Sequence, residues 1–280
     1  MKTTPSSRSV GNYQVTAVSD GTMQASLDLL SGITLTAAEN IQLRSGSNHP
    51  GNIHIYCYLI QGEGHTILVD SGMGAVNHIG GELPQRLLAI GVQPEEIDSV
   101  LLTHGHPDHI GGLLNQAGTA RFSNATLYIS SAEAAFWLDD EIIKFTSERT
   151  QRNALLVRRT LEIYQPKLQL IETETLFADI RAVNLPGHTP GHTGYRIDSG
   201  NDSLLIWGDI VHYPHIQLAH PQVSISFDHN PARAQQTRET VFEQAAREKL
   251  TIAGMHLAEP GLAPLEATKQ GGYYLTSDMN

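Results

Sequence analysis

Residues 103–112 read Thr-His-Gly-His-Pro-Asp-His-Ile-Gly-Gly and carry more metal-binding side chains than any other stretch of the chain. Four of these side chains fall within six residues: His104, His106, Asp108 and His109. Imidazole nitrogens and a carboxylate oxygen suit borderline divalent ions such as Zn²⁺, and the segment lacks the cysteines of a structural zinc finger or an iron–sulfur centre. The segment therefore predicts a hydrolytic metal site.

The apolar residues just before this segment suggest where it lies in the fold. Residues 99–103 form a short apolar run, which predicts a β-strand leading directly into the histidines. In α/β proteins, functional groups gather at the carboxyl ends of strands. We therefore expect an α/β fold with the metal site at one edge of a sheet.

Three more candidate ligands occur later in the chain, each where an apolar run meets a glycine. His188 lies in Pro-Gly-His-Thr-Pro-Gly-His, Asp209 in Trp-Gly-Asp and His256 in Gly-Met-His. These are strand-end positions, where loops carry functional side chains on a rigid scaffold. We expect all three to join the first four.

Composition narrows the class of protein. A length of 280 residues suffices for one large domain, and no linker-like stretch divides residues 1–280. The net charge of −11 disfavours nucleic acid or an anionic membrane as a partner, because both demand a basic surface. A small-molecule substrate agrees better with this charge than a nucleic acid or a membrane does. A homodimer is expected only as the commonest default.

Cysteine usage and hydropathy bear on location. Cys57 is the single cysteine, so no intrachain disulfide can form. The first ten residues contain no apolar core of signal-peptide length, and no window approaches 18 apolar residues without charge. We expect a cytoplasmic protein.

Hydrophobic patterning predicts two successive sets of strands and helices. The predicted strands are residues 13–19, 53–60, 66–69, 99–103, 126–129, 180–185, 195–197, 204–207 and 250–253. The predicted helices are residues 83–90, 130–138, 149–164 and 230–249. Asn230 is the expected N-cap of the last helix, and Ser130 with Glu133 fits a capping box. This order suggests two packed sheets with helices outside.

Together the His-x-His-x-Asp-His run, the Pro-Gly-His turn, the Gly-Asp pair and the late histidine resemble the metallo-β-lactamase superfamily, across residues 53–261. The resemblance implies a four-layer αββα sandwich with mixed sheets and two metal ions at one edge. It implies that one ion is held by His104, His106 and His188, the second by Asp108, His109 and His256, and that Asp209 bridges the pair.

Such a site would be a dinuclear hydrolase centre. Two divalent ions about 3.5–4 Å apart can share a water, lower its pKa and polarise the substrate, so that a bridging hydroxide attacks. Asp209 would hold the spacing, and Asp108 would accept or return a proton. Zn²⁺ is the first expectation, with Mn²⁺, Co²⁺ and Fe²⁺ as alternatives.

Within the superfamily, the residues around Asp209 and His256 look most like the methyl parathion hydrolase and lactonase branch. Homoserine-lactone hydrolases usually place a tyrosine three residues after the bridging aspartate, whereas this chain has His212 there and Tyr213 one later. Both are candidate pocket residues. Phe136 and Trp137 resemble the aromatic residues that line the pocket of organophosphate hydrolases, although residues on such a helical stripe belong more often to a core.

Two further residues are interpreted as supports of the ligands. His192 shares the turn with His188 but exceeds the ligand count of a two-metal site, so we expect it to lie behind the ligands. Asp70 ends a predicted strand in Val-Asp-Ser-Gly and is expected to orient the histidine loop. The substrate we expect is a small ester, lactone or phosphotriester.

Other functions remain open at this point. A mononuclear iron enzyme similar to the persulfide dioxygenases would keep much of the motif, and iron in the purified protein would distinguish it. Thioester cleavage, as in glyoxalase II-like hydroxyacylglutathione hydrolases, usually comes with a basic helical extension. Only 24 residues follow His256, with Lys269 the sole basic one, which weakens that reading.

Overall fold

Two seven-stranded β-sheets form the centre of the computed structural model, which describes residues 5–276. The strands are β1 Ser7–Val10, β2 Tyr13–Gln24, β3 Leu30–Ser31, β4 Asn52–Gly62, β5 His65–Val69, β6 Ser99–Leu101, β7 Thr126–Ser130, β8 Leu168–Ile171, β9 Thr175–Phe177, β10 Ile180–Asn184, β11 Thr193–Ser199, β12 Asp202–Ile206, β13 Ser224–Ile225, β14 Thr251–Ala253, β15 Leu262–Ala267 and β16 Tyr273–Leu275.

The helices lie mainly outside these sheets. They are α1 Leu35–Arg44, α2 Leu83–Ala89, α3 Pro107–Ile110, α4 Ser131–Leu138, α5 Asp140–Ile143, α6 Glu148–Tyr164, α7 Pro214–Gln217 and α8 Pro231–Glu248. Among residues 5–276, no helix combines the length and the apolar character needed to cross a membrane.

Each large sheet is mixed. The first has the strand order β1-β2-β4-β5-β6-β7-β8 and the second β16-β15-β14-β12-β11-β10-β9, while β3 pairs with β13 separately. Strands β5 to β8 are parallel, and so are β12 and β14. Because parallel strands end at the same edge, the loops after β5 and β6 meet there, as do those after β12 and β14.

The inner faces of the two sheets share one apolar core. Tyr58 and Ile67 of the first sheet pack in the same buried cluster as Tyr195 and Ile206 of the second. This burial removes apolar surface from water on both sheets at once, which fixes them face to face.

Helices cover both outer faces. On the first sheet, Leu87 of α2 and Val157 of α6 share a buried cluster with Leu68. On the second, Phe242 of α8 packs with Leu205. The predicted αββα sandwich is therefore confirmed.

Most predicted elements are present, but one predicted cap is wrong. The N-cap Asn230 accepts a hydrogen bond from the Arg233 N–H at 3.0 Å, as expected for the start of α8. Helix α4 also begins after Ser130, yet the Ser130 side chain makes no capping bond. Glu133 cannot complete a capping box, because its buried carboxylate is bonded inside the fold.

Residues 25–51, between β2 and β4, form a cap at the site end of the sandwich. Leu30 of β3 and Ile225 of β13 pack in a separate buried cluster with Tyr213 and Ile53. This cluster holds the segment carrying Met23 to Leu29 over the ends of the strands.

Candidate metal centre

The buried carboxylate of Asp70 binds the histidine loop near both of its ends. Asp70, at the end of β5, accepts hydrogen bonds from the Thr103 N–H at 2.8 Å and from the Thr103 hydroxyl at 2.7 Å. Its Oδ2 atom also lies 2.6 Å from Nδ1 of His109. Asp70 therefore orients both ends of the loop that follows β6.

Seven side chains, four from this loop and three from loops of the second sheet, lie close together. They form two groups, within each of which the ligand atoms all lie within 4.8 Å of one another. The first group is His104, His106, His188 and Asp209, and the second is Asp108, His109, Asp209 and His256. Asp209 belongs to both groups, so the structure brings all seven predicted ligands together.

In the first group, three imidazoles point ring nitrogens at one another. Nδ1 of His106 lies 2.9 Å from Nε2 of His188 and 3.0 Å from Nε2 of His104. Nε2 of His188 lies 3.3 Å from Oδ2 of Asp209. Three nitrogens and one oxygen thus surround one point.

The second group is held by the two carboxylates. Nε2 of His109 lies 3.2 Å from Oδ1 of Asp209 and 3.5 Å from Oδ2 of Asp108. Nε2 of His256 lies 3.1 Å from Oδ2 of Asp209 and 3.5 Å from Oδ2 of Asp108. A second point is therefore surrounded by two nitrogens and two carboxylates.

Several of these atoms lack the partners that burial requires. Nε2 of His109 and Oδ1 of Asp209 are buried and, although 3.2 Å apart, are not aligned for a hydrogen bond to each other or to any other described residue. A buried polar atom without a partner costs roughly 1–3 kcal/mol. A divalent cation would satisfy both atoms, and the nitrogen–oxygen donor set suits such an ion. The residues fit a metal in each group.

The electrostatics of the first group agree with this fit. Burial and the neighbouring His109 hold the pKa of His104 well below its usual range, and burial with His188 does the same for His106. Neutral imidazoles keep a lone pair available for a cation. Burial alone would raise the pKa of Asp209, but His109 and His256 outweigh it, so that carboxylate stays ionised.

The other ring nitrogen of most candidate ligand histidines is anchored. Nδ1 of His104 lies 3.0 Å from the Thr103 hydroxyl, and Nδ1 of His256 donates to the backbone oxygen of His54 at 2.7 Å. Such partners fix the orientation of a ligand ring and raise its basicity.

Asp228 anchors the other ring nitrogen of His188 in the same way. The sequence analysis did not predict this role. Its Oδ1 accepts from Nδ1 of His188 at 2.9 Å, while Oδ2 lies 3.6 Å from the buried guanidinium of Arg238. Arg238 also donates to the backbone oxygen of Ile210 at 2.7 Å. The pair therefore ties α8 to two ligand loops.

His192 has no free ring nitrogen. Its Nδ1 donates to the backbone oxygen of Leu185 at 2.8 Å, and its Nε2 accepts the Asp209 N–H at 2.9 Å. A Cβ on Gly208 would come within 2.3 Å of that Nε2, so glycine with its φ of +59° is needed there. The structure places His192 behind Asp209.

Glu133 joins the two ligand loops. Its Oε1 atom accepts from the Gly105 N–H at 2.9 Å and from the Trp137 indole at 2.6 Å. Its Oε2 atom accepts from the Gly191 N–H at 3.0 Å and from the Thr189 hydroxyl. No local pattern reveals this role, because the donors lie 28 to 58 residues away for three of the four bonds.

The structure places Phe136 and Trp137 in the core. Both are buried in the cluster beneath α6, and neither lines the cavity that opens onto Asp108 and Asp209. Trp137 instead presents its edge to His106, with ring centroids 5.9 Å apart. The pocket role suggested by the resemblance is corrected to one of packing beside a ligand.

His212 and Tyr213, the two residues after Val211, have different roles. Both ring nitrogens of buried His212 lack a well-directed hydrogen bond to a described residue, although Nε2 lies 3.2 Å from Oδ2 of Asp209. Burial lowers the pKa of His212 to about 4, so the ring is neutral. Tyr213 is buried, and its hydroxyl donates to the backbone oxygen of Ala25 at 3.0 Å. His212 faces the site, whereas Tyr213 supports the cap.

A cavity of about 670 Å³ opens onto the two groups. Asp108, Asp209 and His212 line its inner end, and apolar side chains such as Met23 and Leu156 line its sides. A cavity of this size, with both apolar and polar side chains in its lining, can hold a small molecule.

Comparison with known proteins identifies the family. Residues 50–256 match the model of the metallo-beta-lactamase superfamily, and the chain therefore belongs to that superfamily.

Individual relatives share this fold at moderate identity. The crystal structure of hydrolase AbOPH in the beta-lactamase superfamily has a TM-score of 0.92 and 30% identity, covering 100% of this chain and 99% of that one. The structure of AidC, a dizinc quorum-quenching lactonase in complex with the product N-hexnoyl-L-homoserine, has a TM-score of 0.90 and 27% identity, covering 99% and 98%.

A sequence relative shows the same likeness over less of its length. The N-acyl homoserine lactonase of Bacillus cereus is 28% identical over 176 residues, which cover 55% of this chain and 62% of that protein. The matches span about three fifths of the curated relatives' own lengths.

Proposed function

We propose that this protein is a dinuclear metal hydrolase that cleaves a small ester or lactone with a mainly hydrocarbon acyl part. The observation that carries the proposal is Asp209, whose carboxylate belongs to both ligand groups at the inner end of the cavity. The likeness to a dizinc lactonase and to an N-acyl homoserine lactonase supports the choice of electrophile. Phosphotriesters remain a second substrate class for the same site.

Two divalent cations in these groups would supply Lewis acidity and lower the pKa of a water toward neutrality. The chain's own residues do the rest. Asp209 would keep the two positions at a fixed spacing. Asp108, whose side chain reaches the cavity, would accept a proton and return it to the leaving oxygen. His212 would contact the substrate, because its ring faces the cavity without a hydrogen bond of its own.

The presence of two ligand groups that share Asp209 favours a dinuclear hydrolase over a mononuclear iron enzyme. A site with one metal needs only one group, whereas here Asp108, His109 and His256 form a second with Asp209. Zinc is the proposed metal, because nitrogen and carboxylate ligands suit it.

The test is elemental analysis of the purified protein beside hydrolysis of an aryl ester, an N-acyl homoserine lactone and methyl parathion. We expect about two equivalents of zinc, manganese or cobalt per chain and turnover of the ester and the lactone. One equivalent of iron with no hydrolysis of any of the three would overturn the proposal.

A further inference from the structure

Arg149, in the first turn of α6, lines the mouth of the metal-site cavity. Its guanidinium carbon lies 4.1 Å from the centre of the Phe227 ring. Phe227 in turn presents its edge to His212, with centroids 5.9 Å apart. One aromatic ring therefore separates this guanidinium from the inner end of the cavity, where the scissile bond would lie.

This cation has no anionic partner of its own. Among residues 5–276, no carboxylate lies within ion-pair distance of the Arg149 guanidinium, and this group donates no hydrogen bond; it contacts the Phe227 ring. The neighbouring Arg152, by contrast, lies 3.6 Å from Glu148. Burial lowers the pKa of Arg149, and the nearby carboxylate of Asp108 only partly opposes that lowering.

Asp108 is one of the seven candidate ligands, so its charge would be shared with a metal ion. Arg149 would then face two divalent cations without a counter-charge from the described residues. A positive side chain in that position is stabilised when an oxygen of the substrate lies between it and the metals. Polar side chains such as Arg152 and Asn153 also line this cavity, but Arg152 has a carboxylate partner in Glu148, whereas Arg149 has none among the described residues.

We propose that the Arg149 guanidinium, supported by the Phe227 ring, binds a second acceptor oxygen in the acyl part of the substrate. The preferred substrate is then an ester or lactone whose acyl chain carries a carbonyl or carboxylate oxygen beyond the scissile group. This inference rests on the proposed function and names the substrate class of the same site.

The test compares three 4-nitrophenyl esters of equal chain length: the hexanoate, the 5-oxohexanoate and the mono-ester of adipate. The metal-loaded protein is measured as wild type, as Arg149→Met and as the matched control Arg152→Met, which removes a charge from the same cavity wall. The ratio of kcat/KM for each oxygenated ester to that for the hexanoate is the readout, because it cancels general losses of activity.

We expect wild type to favour at least one oxygenated ester, and Arg149→Met to reduce that preference about 10- to 100-fold, as for loss of a charged hydrogen bond. Arg152→Met should reduce it far less. A preference for the adipate ester alone would identify a carboxylate, and one shared with the 5-oxohexanoate a carbonyl. An unchanged ratio in Arg149→Met overturns the inference.

A binding measurement separates this inference from the proposed function. By calorimetry, adipate should bind the metal-loaded wild type at least 10-fold more tightly than hexanoate, and this difference should vanish in Arg149→Met. If the difference is present but no ester is cleaved, the proposed function fails and the acceptor site stands. Equal affinity of adipate and hexanoate for wild type overturns the acceptor site, even if the esters are cleaved.

Discussion

Oε2 of Glu133 accepts a hydrogen bond from the Thr189 hydroxyl at 2.6 Å, and through this bond helix α4 is joined to the loop that carries His188. The other carboxylate oxygen holds the Gly105 N–H between two more candidate ligands. Burial raises the pKa of Glu133, and the four donors oppose that rise. One carboxylate thus sets the distance between loops that belong to different sheets.

Replacing this acceptor should disturb the metals more than the fold. In Glu133→Gln, the amide nitrogen cannot accept, so about half of the four donors lose their partner. We expect metal affinity to fall about 10- to 100-fold, as for loss of an outer partner of metal ligands. Competition with a chelator and the absorption spectrum of the cobalt-loaded protein measure the change.

Asp98 provides the matched control for that variant. It accepts the Thr66 N–H at 2.7 Å near the opposite end of β6, away from the ligands. Asp98→Asn should leave the metal affinity and the cobalt spectrum as in wild type. If both variants weaken metal binding equally, the role assigned to Glu133 is wrong.

Removing the shared carboxylate should affect both metal positions. Asp209→Ala is expected to lose one of two metal equivalents and most hydrolytic turnover, because each group keeps only three ligand side chains and the two positions no longer share a carboxylate. Elemental analysis and kcat measure the two effects, and circular dichroism checks the fold. Full activity in this variant would contradict the two-metal mechanism.

His192 should matter to stability and not to metal content. His192→Ala removes the acceptor of the Asp209 N–H and the donor to Leu185, and each buried group left unpaired costs roughly 1–3 kcal/mol. The melting temperature should fall while both metal equivalents are retained. Loss of a full equivalent would show that His192 is a ligand.

Asp228 gives a second test of the supporting shell. Asp228→Asn keeps an acceptor for His188 but removes the negative charge beside Arg238. We expect metal affinity to weaken about 10-fold, with the first group affected because His188 belongs to it. Titration with Zn²⁺ against a competing chelator measures this. A Zn²⁺ affinity equal to that of wild type would refute the role of the charge.

The sequence predicted the parts of the fold that depend on local patterns. The β4–β5 hairpin, helix α6 and the Asn230 cap follow from alternation, helical periodicity and N-cap chemistry, which act over a few residues. Edge strands such as β1 and β16 were not predicted. Such short strands depend on pairing with a neighbour that a local window does not contain.

The seven candidate ligands were recognisable because His and Asp recur at strand ends in a family motif. The residues that orient these ligands, Glu133 and Asp228, could not be recognised from the sequence. Glu133 lies three residues after Ser130, which is also the spacing of a capping box, and only tertiary contacts show that its carboxylate turns inward. Asp228 lies in a turn with no pattern that names His188 as its partner. Phe136 and Trp137 were ambiguous because apolar side chains on a helix serve cores and pockets alike.

The division of the ligands between the sheets has a consequence for the whole molecule. Four side chains follow β6 in the first sheet, while His188, Asp209 and His256 follow strands of the second. Any ion bound there would cross-link the two sheets. Metal binding and the free energy of unfolding would therefore be thermodynamically linked. After a chelator removes the metal, the protein would unfold first at the interface between the two sheets. The concentration of free metal would then determine the lifetime of the folded enzyme at high temperature.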